Sequence, residues 1–411
     1  MSRKLWILSR ERFGDILLGP NIRVCDLAVH AFEAGWSVSV LAAEDSRSPF
    51  SSNIEFASLR RGFSRRFATD DRVVVGELLP SWAVLELLRA RQPFHWDVYG
   101  LSLPESLSFA DVWPRSKTRL ETRRKDIRYL LMAKAAARIW VSHPGQVVFL
   151  SALLARTGTP SDATAAFRLP GKILEVPMGC SDRPVPAGTR NPYHELAIHS
   201  PVFLWGGGIW RWFDPETVLQ AFSLLRSRGV PATLFFISGR NEATSDYQAP
   251  LDEVLSSATR KGLLDGSVVF NPRRVGPSEL GPWLEHSRAG IMGNMPTLES
   301  RMSWRTRYLD LLWAGKPLIV SGADPLAERM ERLGAALISP AGDPGKLADS
   351  IQRLIQDDRL VESMSRSSRS FGDGFSNKEI LTPAMEALEK SSGGMPAPPG
   401  ISDIVRYILG I

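Results

Sequence analysis

Residues 4–42, KLWILSRERFGDILLGPNIRVCDLAVHAFEAGWSVSVLA, decide the fold. LWIL, at 5–8, is apolar and bounded by charge, which predicts a short buried strand. A loop follows as far as Arg23 and carries Gly14, Gly19 and Pro20. VCDLAVHAFEAG then places apolar residues at helical spacing and stops at Gly35, a residue type suited to the left-handed position that ends helices. WSVSVLA alternates as a strand. Strand, glycine-bearing loop, helix and strand make a βαβ unit, which implies a parallel sheet with ligands at the carboxyl ends of its strands. The loop contains no GxGxxG, so the dinucleotide fingerprint is absent.

Working outward, 73–79 and 94–99 are predicted as later strands of the same sheet, separated by the helical run SWAVLELLRARQ. His95, Trp96 and Asp97 lie toward the end of the second of these. A carboxylate emerging there faces the crevice in which α/β domains bind ligands, so Asp97 is a candidate for contact with a reacting group. Its alternative role is to cap the next loop, and that of His95 is to be a hydrogen-bonded core residue. IWVSHPGQ is predicted as a strand running into a loop at His143, and TGTPSDATAAFRLPGK at 157–172 as a loop.

A chain of 411 residues exceeds the size at which single cores stop growing, so two domains are expected. A hydrophobic share of 44% with 23% charged residues excludes disordered and fibrous classes. Cys25 and Cys180 are far apart and form no CxxC, which argues against a disulfide framework and a structural metal, and fits a reducing cytoplasm. The apolar run in MSRKLWILSRERFGD is too short for a signal peptide, and no stretch reaches bilayer length. A soluble or peripheral protein is therefore expected. VPMGCSDRPVPAGTRNPYHELAIHSP, 176–201, packs in proline, glycine and polar residues and marks the boundary. The expected domains are 1–185 and 201–375, with a hinge at 186–200 and a tail, 376–411, returning to the first domain. Within the tail, KSSGGMPAPPG is a linker, and the apolar end ISDIVRYILGI either docks on the first domain or touches a membrane.

The net charge of +6 is unevenly spread. Residues 115–138 hold nine Lys/Arg against Glu121 and Asp126, and 59–72 hold five against Asp70 and Asp71. Such a half faces anionic head groups, a polyanionic acceptor or nucleic acid, or is a solvated surface without a partner. Ile127, Leu130, Leu131, Lys134 and Arg138 predict an amphipathic helix that packs on the core or lies on a membrane. Tyr129 is the only aromatic residue between 115 and 138, which disfavours nucleic acid.

A second α/β cycle opens at 201 with PVFLWGGGIWRWFDPETVLQAFSLLRSRG: a strand, the glycines 206–208, and a helix with Asp214 as N-cap and Pro215 at N1. Three successive glycines allow a backbone to approach a phosphate, or make only a tight turn. ATLFFISG, SVVFNP, AGIMGN and PLIVSG are predicted strands, and AALISPAGDPGKLADSIQRLIQD adds a strand and a helix. LESRMSWRTRYLDLLWAGKPLIV, 298–320, combines carboxylates able to hold ribose or sugar hydroxyls with guanidinium forks able to hold phosphate.

Several of these segments resemble the GT-B fold glycosyltransferases, close to the large retaining family 4 group. The resemblance rests on GPNIRVCDLAVHAFEAGWSVSVL, on VPMG, on LWGGGIWRWFDPETVLQAF, and on WRTRYLDLLWAGKPLIVSGADPLAERMERLGAALISPAGDP. The WGGGIWRWFDP block is similar to that of a particular bacterial subgroup. It implies two Rossmann-like domains with parallel sheets facing across a cleft. It also implies a nucleotide-diphosphate sugar donor, with a glycan or lipid-linked acceptor. By the same resemblance Gly19 and Pro20 form the loop near the diphosphate and acceptor, and Gly206, Gly207 and Gly208 approach the donor. Asp310 matches the second carboxylate of the family's pair, the ribose ligand. The sequence departs from the pattern in two places. Met302 stands eight before Asp310, where the first carboxylate belongs, leaving Glu299 as the nearest candidate. Gly207 and Phe213 stand near the places of the usual arginine and lysine, so Arg211, Arg305 or Arg307 would supply the positive charge.

No DxD-type metal site is present, since Asp70-Asp71 sits in a basic, loop-like run. The expectation is metal-independent transfer without a cofactor, in cell-surface glycan or related glycoconjugate synthesis, at the cytoplasmic face of the membrane or in the cytoplasm. With retention the leaving phosphate takes the acceptor proton; with inversion Asp97 is the expected base. The alternatives are a sugar-nucleotide 2-epimerase and a catalytically silent partner protein on the same fold.

Overall fold

The structure, a computed structural model, describes residues 3–390 apart from 15–16, 52, 112, 156–171, 186, 239–248 and 274. The loop expected over 157–171, and the linker and apolar end beyond 390, lie outside the described residues. The chain divides into two compact units: one runs to Met178 and resumes at Asn377, and the other is Gly179–Ser376.

The first unit is built on seven parallel strands: β1 (Lys4–Leu8), β2 (Ser37–Ala42), β3 (Glu55–Ser58), β4 (Arg72–Gly76), β5 (His95–Val98), β6 (Arg138–Val141) and β7 (Ile173–Glu175). Their order is β3-β2-β1-β4-β5-β6-β7, which reverses direction between β1 and β4. Leu8 pairs with Val75 there, so the chain leaves both strands at the crevice that a doubly wound sheet offers to ligands. The edge strands β3 and β7 are short and were not anticipated, because EFAS and ILE carry too little apolar alternation to stand out. Helices α1 (Gly19–Glu33), α2 (Ser81–Ala90), α3 (Ser102–Leu107), α4 (Arg115–Ala135) and α5 (Pro144–Ala155) connect them. α1 begins at Gly19 rather than after Arg23, because Pro20 fits the first turn, where no backbone donor is needed.

The second unit holds β8 (Val202–Trp205), β9 (Thr233–Phe236), β10 (Val268–Phe270), β11 (Ala289–Gly293), β12 (Leu318–Ser321) and β13 (Ala336–Ser339). They are all parallel in the order β10-β9-β8-β11-β12-β13, with the reversal between β8 and β11. β8, β9, β11 and β12 are buried along their whole length, as strands covered on both faces must be. Its helices are α6 (Pro192–Glu195), α7 (Pro215–Ser227), α8 (Ala249–Arg260), α9 (Leu280–Glu285), α10 (Leu298–Met302), α11 (Thr306–Trp313), α12 (Pro325–Arg332), α13 (Pro344–Gln356) and α14 (Asp358–Asp373). Three of them start alike. Asp214, Asp324 and Asp343 each accept a hydrogen bond from a backbone N–H two or three residues on, with proline in the first turn.

The segment expected as a hinge, 186–200, belongs to the second unit, and the division falls earlier, at Met178. Composition suggested a linker, yet specific hydrogen bonds hold this chain. Cys180 N–H donates to the Phe375 carbonyl, the Trp313 indole donates to the Arg183 carbonyl, and the backbone of Gly188 and Thr189 donates to the Glu285 carboxylate. α15 (Asn377–Lys390) then packs in the first unit. Leu381, Ala384, Met385 and Leu388 form one helical stripe, buried with Val24, Leu27, Ala28 and Ala31 of α1. Leu388→Ala should cost about 2–5 kcal/mol through lost transfer energy and a residual cavity. Urea unfolding followed by tryptophan fluorescence would show it, and an unchanged transition would mean that α15 is not part of this core.

Candidate functional site

In the first unit the expected residues gather where β1, β4 and β5 end. A Cβ at Gly19 would run into the hydroxyl at the tip of the Tyr99 side chain, which would have to move aside. Asn21 fixes the turn into α1, its Oδ1 accepting from Leu18 N–H at 3.0 Å and its Nδ2 donating to the Arg12 carbonyl at 3.3 Å.

Asp97 is buried, and both of its oxygens accept from Arg23, Nε at 2.9 Å and Nη2 at 3.2 Å. The same guanidinium donates to the Val176 and Pro177 carbonyls. A carboxylate so occupied braces α1 against β5 and the end of the unit. The role of base expected for Asp97 therefore meets a geometry in which neither oxygen is open to an acceptor hydroxyl. His95 is a core residue: its ring stands edge-on to Trp140, neither ring nitrogen has a hydrogen-bond partner, and burial pulls its pKa down to about 3.

Glu77 was not anticipated, because the strand was expected to run on to Leu79. It follows β4 with φ +49°, a left-handed conformation uncommon for a residue with a Cβ. Its N–H donates to the Asp97 carbonyl and its carbonyl accepts from the Trp96 indole. The carboxylate lies 3.7 Å from Arg10. Burial first, and then Glu11, raise its pKa to about 8, with Arg10 opposing and Glu105 and Asp97 adding.

In the second unit the glycines 206–208 follow β8 directly. Gly207 has φ +120°, a conformation that favours glycine, and a Cβ there would lie 3.2 Å from the Arg307 guanidinium, which would have to give slightly. Phe213 organises the cations. It forms a bridge to Asn294 at the end of β11, and the guanidinium groups of Arg305 and Arg307 lie 4.8 and 4.6 Å from its ring centroid.

The two arginines differ in their surroundings. Arg305 is buried and forked onto Glu299, Nη1 to Oε1 at 2.8 Å and Nη2 to Oε2 at 2.7 Å. Burial opposes its charge, but Glu299 prevails and the pKa is raised. Glu299 and Arg305, both expected at the donor site, are forked onto one another, while Arg305 Nε is buried without a hydrogen-bond partner among the described residues. Arg307 stands beside Gly207, and Asp310 follows three residues later on the same face of α11. Asp310 is half-buried and near enough to Cys180 to help burial push that thiol up to about 12. Arg211 turns toward Glu253 of α8, at 3.8 Å. With Trp210, Phe213 and Met295 it lines a cavity of about 390 Å³ at this end of the sheet. Another cavity, about 450 Å³, lies at the amino ends of β8, β9 and β10, around Ser200, Thr233 and Ser267, and contains none of the expected residues.

Behind these groups Asn294 donates to the Gly322 carbonyl at 3.0 Å, to the Tyr308 hydroxyl at 3.2 Å and to Asp324 at 2.9 Å, and Tyr308 donates to Asp324. This buried network ties the ends of β11 and β12 to α11 and α12. Its sequence signals were an asparagine directly after a strand and an Asp-Pro helix start.

Removing either partner of a buried ion pair leaves a charge unmet, so Glu299→Ala or Arg305→Ala should cost about 3–5 kcal/mol, measured by urea unfolding. Arg307→Ala should cost under about 1.5 kcal/mol; equal losses would overturn the distinction. A second outcome concerns acid. The neutral form of His95 is favoured in the folded state, so stability should be level above its ordinary pKa of 6.5 and fall as pH drops from there toward about 3. His95→Leu should flatten that slope, and an unaltered acid profile would assign the loss to other groups.

No family model matches the chain, and no curated protein matches it by sequence. Solved structures do. Sucrose-phosphate synthase from Thermosynechococcus elongatus is 15% identical, with a TM-score of 0.71 over 94% of this chain and 98% of the other. An α,α-trehalose-phosphate synthase (UDP-forming) from Burkholderia vietnamiensis is 11% identical, with a TM-score of 0.70 over 95% and 99%. HepE from Anabaena, in complex with UDP-glucose, is 13% identical, with a TM-score of 0.64 over 94% and 99%. The chain has the fold of the GT-B glycosyltransferases.

Proposed function

We propose that this protein is a glycosyltransferase that moves a sugar from a nucleotide-diphosphate donor to an acceptor hydroxyl. Arg307 against Gly207, at the strand reversal of the second sheet, carries this reading. It puts a cation next to a backbone that a phosphate can approach, on the fold of proteins one of which holds UDP-glucose. Asp310, one helical turn on, suits the ribose hydroxyls. The first unit takes the acceptor, a glycan or lipid-linked glycan.

With Asp97 held by Arg23, retention is the preferred course. The acceptor oxygen bonds to the anomeric carbon as its bond to the β-phosphate oxygen breaks, and that oxygen takes the acceptor proton. Arg307 and the amides of the glycine loop stabilise the charge that develops on the leaving group. This course needs no metal and no side-chain base, and it suits synthesis of cell-surface glycans.

Calorimetry against UDP, GDP and dTDP and their sugars, followed by assay of nucleotide release with and without acceptor, tests the reading. Arg307→Ala should weaken nucleoside diphosphate by about 1.5–3 kcal/mol and leave nucleoside unaffected. Asp310→Ala should weaken both. An isomerised donor would indicate an epimerase, absence of donor binding would indicate a silent relative, and equal loss for nucleoside and diphosphate would remove Arg307 from the phosphate site.

A further inference from the structure

We propose that the cavity between the glycine loop and α8 is a glycan-binding site, separate from the donor site and taking a short uncharged oligosaccharide. The cavity, about 390 Å³, has the size of an ordinary small-ligand pocket, and Trp210, Arg211 and Phe213 line it from one side. Pro250, Glu253, Val254, Ser257 and Arg260 line it from the other. These five recur at three- and four-residue spacing, so one face of α8 forms a wall roughly 15 Å long. That is the length of a short oligosaccharide and more than a single sugar needs.

The aromatic side is held in place. Phe213 N–H donates to the Trp210 carbonyl and Met295 N–H to the Trp212 carbonyl, which pins the loop after the glycines. Trp210 and Trp212, both half-buried, stack with ring centroids 5.5 Å apart and planes 11° from parallel. The Trp210 indole also lies against Gly208, where an added Cβ would be 3.7 Å away. An indole braced in this way is a pre-organised platform for the apolar C–H face of a pyranose ring.

The polar side has hydrogen-bonding capacity to spare. Arg211 Nε is buried without a hydrogen-bond partner among the described residues, and Nη2 lies 3.8 Å from Glu253, too far for a hydrogen bond. Glu253 and Arg260 are exposed. Donors and an acceptor beside one platform suit ring hydroxyls, each of which both donates and accepts. Charge decides against a phosphate. Among the described residues the cavity has two arginines, Arg211 and Arg260, against three carboxylates, Asp214, Glu216 and Glu253. A nucleoside diphosphate finds its cation at Arg307 instead, beyond Phe213, whose ring carries the Arg305 and Arg307 guanidiniums and which also lines the cavity. An uncharged polyol fits both the platform and this balance of charge. The inference goes beyond the transferase reading and does not rest on it, since a catalytically silent protein with this cavity would bind glycan equally.

Titration calorimetry of the full chain with maltotriose, cellotriose and mannotriose, with and without UDP, tests it. At least one trisaccharide is expected to bind, with the same affinity when UDP is present and in Arg307→Ala. Trp210→Ala should weaken that binding at least about tenfold. Glu253→Ala with Arg260→Ala, both exposed on α8 and remote from the loop, should weaken it about fivefold with an unaltered melting temperature. Trisaccharide binding by a chain that takes no UDP would uphold the proposal and count against the transferase reading alone. Absence of binding by all three sugars, one-for-one displacement by UDP, or affinity unmoved by either variant would overturn it, displacement by giving the cavity to the donor.

Discussion

The ion pair of Arg305 with Glu299 sets the geometry of the second unit's site. A guanidinium as buried as this one is tolerated only with a carboxylate at its fork, and that carboxylate comes from α10 while the arginine precedes α11. The pair therefore fixes the angle at which α11 starts. Arg307 and Asp310 ride on that helix, and Phe213, stacked beneath both arginines, ties it to the chain after β8. Arg307 is thus placed beside a second cation that is already paired with a carboxylate.

The first unit solves the same problem independently. Arg23 and Asp97 are buried together behind the strand ends, and the arginine spends its remaining donors on two carbonyls. Each unit thereby keeps a buried arginine–carboxylate pair, Arg23 with Asp97 and Arg305 with Glu299. Burial pushes Glu77 up to about 8 and pulls Lys316 of the second unit down to about 8, so the protonation of both would respond to pH changes just above neutrality.

Most of the fold was legible in the sequence because central strands of parallel sheets are short apolar runs, and helices announce their ends. Asp214-Pro215 and Gly35 marked such ends correctly. The edge strands β3 and β7 of the first sheet were not legible, since EFAS and ILE carry little apolar alternation, whereas β10 and β13 at the edges of the second were. Neither was the division at Met178, where hydrogen bonds from a proline-rich segment outweigh its composition. Within the site, sequence spacing could nominate Glu299, Arg305, Arg307 and Asp310 together, but not say which charges meet ligand and which meet each other. That depends on burial: Glu299 lies within reach of Arg305 across the break between α10 and α11, and a one-dimensional pattern contains no such break. The pairing of Asp97 with Arg23 was hidden for the same reason, the two being distant in sequence.

The return of α15 to the first unit has a consequence for synthesis. The ribosome releases β1 to β7 well before Leu381, Met385 and Leu388 exist, so the apolar flank of α1 must wait for the whole of Gly179–Ser376 to be made. At ordinary elongation rates that interval is on the order of 10–40 s. During it the face of α1 that Leu381, Met385 and Leu388 cover has no partner, and a chain terminated anywhere in the second unit would leave it permanently unsealed.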